Sequence, residues 1–309
     1  MTTPSWTPDD IPDLTGKQAL VTGVTSGLGE NTVLALARKG ARVVMAARSD
    51  IKLRATIEDI HGTLPKADLV PLLVDLADLS SVRRAADEAA GLGPIDILIN
   101  NAGVMATPFH RTVDGFELQF GTNHLGHFAL TGLLFPQLAK AQAARVVTVA
   151  SQAHRIARTV PLEDPRNDKR RYRKWGAYAE SKLANLLFAF ELDRRARTAG
   201  TNVSSMAAHP GYAATALFSG LNLDGTKPDG AIVVGASRLL GQPSEMGAQP
   251  SLMAATIPGL PGGSYVGPDG FVQMRGRPTL VKASRTARDE ALARSLWQVS
   301  EEATHVSFP

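Results

Sequence analysis

Apolar and polar positions along the first 150 residues switch repeatedly between two patterns. Short runs rich in Val, Ile, Leu and Ala predict strands at Gln18–Thr22, Arg42–Ala47, Leu69–Val74, Ile95–Asn100 and Arg145–Ala150. Between them, apolar residues three and four apart predict helices at Gly29–Lys39, Asp50–Ile60, Leu79–Ala90 and Asp114–Lys140. Gly40 sits where a helix-ending glycine belongs, and Ser49 can cap the second helix. After Ser151 a charged stretch leads to a helix at Ala177–Arg197 and a strand at Val203–Ala208. A helix at Glu245–Thr256, a short strand at Ser264–Val266 and a helix at Ser284–Ala303 follow. The strand runs lack strict alternation, as expected of strands covered on both faces. The expected fold is therefore a single doubly wound α/β domain, with a mostly parallel seven-stranded sheet flanked by helices. It spans residues 17–283, after an extension at 1–16, with the C-terminal helix and tail (284–309) packed on the same domain.

Composition narrows the chemistry. The 309 residues contain no cysteine, which removes disulfides, thiol catalysis and cysteine zinc sites, and suits a reducing, cytoplasmic setting. No secretory leader pattern opens the chain, and no 18-residue apolar run predicts a membrane span. The net charge of +4 is a weak lean toward acidic partners, and a phosphorylated cofactor is enough to satisfy it. The densest basic stretch, Arg166 to Lys174, reads as a solvated loop, with contact to an acidic partner, membrane surface or substrate group as the alternative and nucleic-acid binding a minor one. His124 and His127 share a helix face but have no third ligand, so no metal site is expected.

Two motifs carry function. The first, Thr22-Gly23-Val24-Thr25-Ser26-Gly27-Leu28-Gly29, joins a predicted strand to a predicted helix. Glycines there let backbone amides and a helix N-terminus approach a dinucleotide pyrophosphate. The second strand ends in Ala47-Arg48-Ser49, with no carboxylate to accept from a ribose hydroxyl. Arg48 instead suits a 2′-phosphate, aided by Thr25, Ser26 or Ser49, so NADP(H) is expected over NAD(H). Asp75 and Leu76, and Asn101, Ala102 and Gly103, sit at the carboxyl ends of later strands, where such folds bind ligands. Asp75 is a candidate for the adenine amino group, with a helix N-cap or turn residue as the alternative.

The second motif, Tyr178-Ala179-Glu180-Ser181-Lys182, sets a phenol and an ammonium one helical turn apart. Bringing a tyrosine from about 10 to about 7 requires roughly 4 kcal/mol. A cation about 4 Å away supplies a similar amount at an effective dielectric of about 20. Ser151, at the end of the fifth strand, is placed to reach a carbonyl oxygen.

With these motifs in order, joined by VDLADL, NHLGHF and HPGYAAT, the chain resembles the short-chain dehydrogenase/reductase family over about 250 residues. The resemblance implies a Rossmann domain in which Tyr178 is the general acid/base and Ser151 orients the carbonyl. Lys182 would lower the tyrosine pKa and bind the nicotinamide ribose, and Asn123 would hold a water in a proton relay. Pro210, Gly211 and Thr215 would border the nicotinamide and phosphates. NHLGHF and YAESKLANLLFAFEL are most similar to the retinol-dehydrogenase and protochlorophyllide-reductase-like branch. The chain departs from that branch in two ways: it has neither an apolar N-terminal anchor nor the cysteine of protochlorophyllide reductases. Ser151 and Tyr178 are also unusually far apart in sequence, so the intervening segment is expected to rim the substrate entrance, with Tyr172 or Trp175 against an apolar ligand. The implied partner is a small carbonyl or alcohol, and a homo-oligomer is compatible with the family. A catalytically idle dinucleotide sensor is the alternative; it would be expected to have lost part of the Asn123–Ser151–Tyr178–Lys182 set, which is complete here.

Overall fold

The computed structural model describes residues 6–212 and 242–309; the expected Thr215 contact lies outside them. Among the described residues eight strands form one sheet in the order β3-β2-β1-β4-β5-β6-β7-β8. They are β1 (Gln18–Thr22), β2 (Arg42–Ala47), β3 (Leu69–Leu73), β4 (Ile97–Asn100), β5 (Ala144–Val149), β6 (Val203–Ala208), β7 (Tyr265–Pro268) and β8 (Pro278–Leu280). The first seven run parallel, and β8 returns antiparallel to β7 with Thr279 opposite Gly267. The eighth strand corrects the seven-stranded expectation. It is three residues long and begins with a proline, so it shows no alternation, and an edge is where a sheet tolerates proline.

Alternate residues of β1 explain the two-sided core. Ala19 and Val21 join Val33, Met45, Leu252 and Met253 on one face, while Leu20 joins Leu98, Phe128, Phe188 and Trp297 on the other. The covering helices are α1 (Gly27–Arg38), α2 (Asp50–Thr63), α3 (Leu79–Ala90), α4 (Gly126–Lys140), α5 (Lys174–Thr198), α6 (Ser244–Thr256) and α7 (Glu290–Thr304). Full burial of each such Leu or Phe contributes about 1.5–3 kcal/mol, so truncating Leu20 or Phe128 would cost several kcal/mol. Trp6, Ile11 and Leu14, in the segment before β1, are buried in the first cluster. At the other end Phe308 stacks within 4.7 Å of Trp297.

Two helix boundaries differ from the sequence reading because polar side chains set them. Asp289 accepts from Leu292 N (3.0 Å), so α7 starts at Glu290 and not at Ser284. Glu117 accepts from the amides of Gln119 (2.9 Å) and Phe120 (2.7 Å), so the helical run starts at Leu118 and not at Asp114. That run passes through a π turn, Gly121–Leu125, before α4, with Gly126 N bonded five residues back to Gly121 O. Asn123 lies inside this wider turn, a feature common at functional sites.

Candidate active site

The carboxyl edge of the sheet opens into a cavity of about 350 Å³. From Thr22 the chain turns through Gly23, in the left-handed region at φ 72°, into α1. A Cβ on Gly23 would stand 2.8 Å from Ala102 Cα, and one on Gly29 would stand 2.1 Å from Gly23 O. The glycines are there because β1, α1 and β4 meet at main-chain distance. Ser26 occupies the cap position of α1 without a side-chain capping bond, which leaves the first-turn amides to an anion in the cavity. Thr122 Oγ1 is buried without a protein partner in the same wall. An uncapped helix start, a glycine-cleared floor and an orphaned hydroxyl together fit a dinucleotide.

Of the residues singled out for the cofactor, Gly23, Thr25, Ser26, Leu28, Gly29, Arg48, Asp75, Leu76, Asn101, Ala102 and Gly103 line this cavity. Gly27 does not; it supplies a left-handed turn at φ 59°. Pro210 and Gly211 follow β6 outside the cavity wall, with Pro210 O accepting from Gln242 (2.6 Å) and Gly211 pressed against Met274 O. Arg48 is exposed at the cavity rim, joined by Ser49 and by Lys52, a cation that the sequence reading missed. Its signal was spacing: Lys52 stands one helical turn beyond Arg48. Asp75 is partly committed elsewhere, since its carboxylate accepts from Ala77 N at 2.9 Å. Asn101 acts as a brace, donating to the carbonyls of Thr22 (2.8 Å) and Gly23 (3.2 Å).

Tyr178, Lys182, Ser151 and Asn123 are not among the cavity's lining residues; Asn123 and Lys182 reach it behind Gly103. Tyr178 is 7% exposed and has the Ser151 hydroxyl as its electrostatic neighbour. Burial pushes its phenol above the usual tyrosine value, and the Ser151 hydroxyl works against that rise. Lys182 Nζ lies 5.9 Å from the Tyr178 ring centre and donates to Val149 O at 3.0 Å. Burial lowers the lysine to about 8. In the protein alone, then, burial works against both the phenolate and the ammonium. The downward push on the phenol expected of Lys182 does not outweigh burial here.

Asn123 is fixed on every side. Its amide donates to Val104 O (2.9 Å) and Ser181 Oγ (2.9 Å), and its oxygen accepts from Val104 N (2.8 Å). Ser181 in turn donates to Tyr178 O at 2.8 Å, linking the asparagine to the tyrosine helix. A Cβ on Gly103 would lie 3.1 Å from Asn123 Oδ1 and 3.5 Å from Lys182 Nζ, so cofactor floor and catalytic cluster are contiguous.

The paired histidines of NHLGHF resolve into two structural roles. His127 Nδ1 donates to Asn123 O (3.0 Å), which makes Nε2 the acceptor for Thr22 Oγ1 at 2.9 Å. The same Thr22 oxygen accepts from the amides of Asn101 and Ala102, both at 3.0 Å. His127 thus ties the π turn to the glycine loop, and burial keeps it neutral by lowering it to about 4. His124 bonds Ser300 Oγ at 2.8 Å.

The segment between Ser151 and Tyr178 separates its two aromatics. The Tyr172 hydroxyl donates to Thr107 O (2.9 Å) and accepts from Gln119 Nε2 (2.7 Å), and burial pushes its phenol up to about 12. This hydroxyl is an internal post of the loop. Trp175 is half exposed, with its ring edge-on to Tyr178 at 6.3 Å. Much of the basic stretch is internally matched. Arg170 grips both Glu180 oxygens (2.7 and 2.6 Å), and Arg166 donates to Asp114 O while covering the Phe116 ring.

The chain is similar to known proteins. The short chain dehydrogenase profile matches residues 17–161. Human retinol dehydrogenase 13 is 37% identical over 95% of this chain and 86% of its own length. Mouse polyprenol dehydrogenase is 38% identical over 94% of this chain and 84% of its own length. An uncharacterised protein from Mycobacterium paratuberculosis, of known structure, is 43% identical, with a TM-score of 0.81 over 99% of both chains.

Proposed function

The chain belongs to the short-chain dehydrogenase/reductase family, in its retinol-dehydrogenase-like branch, and from that premise we propose that it is an NADP(H)-dependent oxidoreductase acting on a carbonyl or alcohol of an apolar small molecule. The observation that carries this reading is the approach of Asn123 and Lys182 to Gly103 on the wall of the glycine-cleared cavity. The bound nicotinamide supplies or accepts the hydride. In reduction, the Tyr178 hydroxyl gives its proton to the carbonyl oxygen while Ser151 holds that oxygen by hydrogen bonding. In oxidation, the Tyr178 phenolate removes the hydroxyl proton. A neutral phenol is the form that burial favours, so the protein alone is poised for the acid role. For the base role, the positive charge of an oxidised nicotinamide adds to the Ser151 hydroxyl in favour of the phenolate.

Cofactor preference rests on Arg48 and Lys52, two exposed cations at the rim with no carboxylate partner among the described residues. A guanidinium fork matches a 2′-phosphate, and no acidic residue at the end of β2 competes for a ribose hydroxyl. The apolar character of the substrate rests on Trp175, whose half-exposed ring flanks Tyr178. The test is a panel of aldehydes, ketones and alcohols of graded chain length with each cofactor, followed by nicotinamide absorbance. Turnover confined to NADPH or NADP⁺ and improving with chain length supports the proposal. Firm cofactor binding without turnover on any substrate would leave the idle sensor instead.

A further inference from the structure

We propose that a second hollow, on the surface between residues 155–159 and the segment leading into α7, binds a ligand carrying two or more phosphate groups. The hollow has a volume of about 820 Å³ and shares no wall residue with the cofactor cavity. Four cations line it: Arg158, Lys282, Arg285 and Arg288. All four are exposed, and none has an ion pair or a side-chain hydrogen bond among the described residues. Thr286 stands in the same wall, as does Thr159, whose hydroxyl donates to Val160 O at 3.4 Å. Its single carboxylate, Asp289, is engaged by Leu292 N at the start of α7.

These four cations differ from the arginines that pair with carboxylates on the same molecule. Arg54, Arg170, Arg194, Arg195 and Arg197 each face an acidic partner within 3.0 Å. Gathering four unmatched cations around one concavity raises the energy of the empty state, which a multiply charged anion would relieve. Guanidinium groups match phosphate oxygens in pairs, and hydroxyls add neutral donors. The backbone carrying the cations is anchored. Arg155 donates to Lys282 O (2.6 Å), Ser284 N donates to His154 Nε2 (3.2 Å), and Ala287 is buried. The scaffold is therefore set before a ligand arrives, while the charged ends remain free.

A polyphosphorylated soluble molecule and a phosphorylated lipid headgroup present the same chemistry, and two arms of one experiment separate them. In the first, inorganic tripolyphosphate is titrated calorimetrically into the full chain, its Arg48→Ala variant, and a Lys282→Gln/Arg285→Gln/Arg288→Gln variant. Wild type and Arg48→Ala should bind, and the triple variant should bind at least about tenfold more weakly. An Arg285→Lys/Arg288→Lys variant should stay within a few-fold of wild type, and added salt should weaken binding throughout. In the second arm the protein is sedimented with phosphatidylcholine vesicles with or without phosphatidylinositol phosphates. Retention on the phosphorylated vesicles alone assigns a headgroup; a response only to tripolyphosphate assigns a soluble ligand. Equal affinity in wild type and the triple variant, or loss confined to Arg48→Ala, would overturn the proposal. The three side chains make no hydrogen bond or ion pair among the described residues, so the triple variant should keep the wild-type melting temperature.

Discussion

Between Gly23 and Gly103 the cleft is walled largely by main chain laid from strand to strand, whereas the long connection between Gln152 and Tyr178 lies outside that wall and sets the Trp175 side chain beside Tyr178. On the first side, Asn101, Thr22 and His127 bond the strand ends to one another, and the glycines leave no space for a Cβ. On the second, Trp175 stands half in solvent beside the Tyr178 phenol. The difference teaches where each kind of specificity resides. On the proposed function, a shape common to every dinucleotide is held by backbone, and a shape particular to one substrate would be left to exposed side chains. Substitutions on the two sides should therefore fail differently.

Adding one carbon on the cofactor side should have the largest effect. In Gly29→Ala the new Cβ meets Gly23 O at 2.1 Å, and relieving it by shifting α1 costs about 3 kcal/mol. Cofactor affinity, read by nicotinamide fluorescence, should fall roughly 100-fold. Unchanged affinity would show that the loop has room the structure does not display.

Lys182→Ala should lower both kcat and cofactor affinity. The lysine also gives a pH signature. Because burial lowers it to about 8, its ammonium is lost above that pH and not above the ordinary lysine value. Wild-type NADPH affinity should therefore decline as pH rises through about 8, and the variant should show no such step. A step of equal size in both would remove Lys182 from the binding account. Arg48→Ala should weaken NADPH by roughly tenfold or more, the worth of a charge-assisted contact, and leave NADH nearly untouched. Equal losses for both cofactors would contradict the 2′-phosphate reading.

The smallest and sharpest contrast is between the two aromatics of the long connection. Trp175→Ala should raise KM for long-chain substrates a few-fold without altering the melting temperature. Tyr172→Phe should do the reverse, costing about 1–2 kcal/mol through the unpaired Thr107 carbonyl and Gln119 amide, with KM unchanged. An exchange of these outcomes would reassign the substrate wall.

The sequence made the cofactor side legible because backbone constraints leave compositional traces. Glycines after a buried strand, an arginine at the end of β2 and a Tyr-x-x-x-Lys spacing each report a local geometry. Arrangements that depend on distant partners left no such trace. Nothing near Tyr172 announces that Gln119 and Thr107 will take its hydroxyl, and nothing near His127 announces Thr22. The edge strand Pro278–Leu280 was invisible for a related reason, since three residues carry no period. The helix boundary at Glu117 was missed because a carboxylate caps from within an otherwise helix-like sequence.

The central claim is that Tyr178 moves the proton while the cofactor is held elsewhere, and Tyr178→Phe tests both halves on one protein. Removing the hydroxyl should reduce kcat by about 10³-fold or more, while NADPH affinity, measured on the same preparation, should stay within about twofold of wild type because the glycine cavity is untouched. Turnover near the wild-type level in that variant would contradict the account.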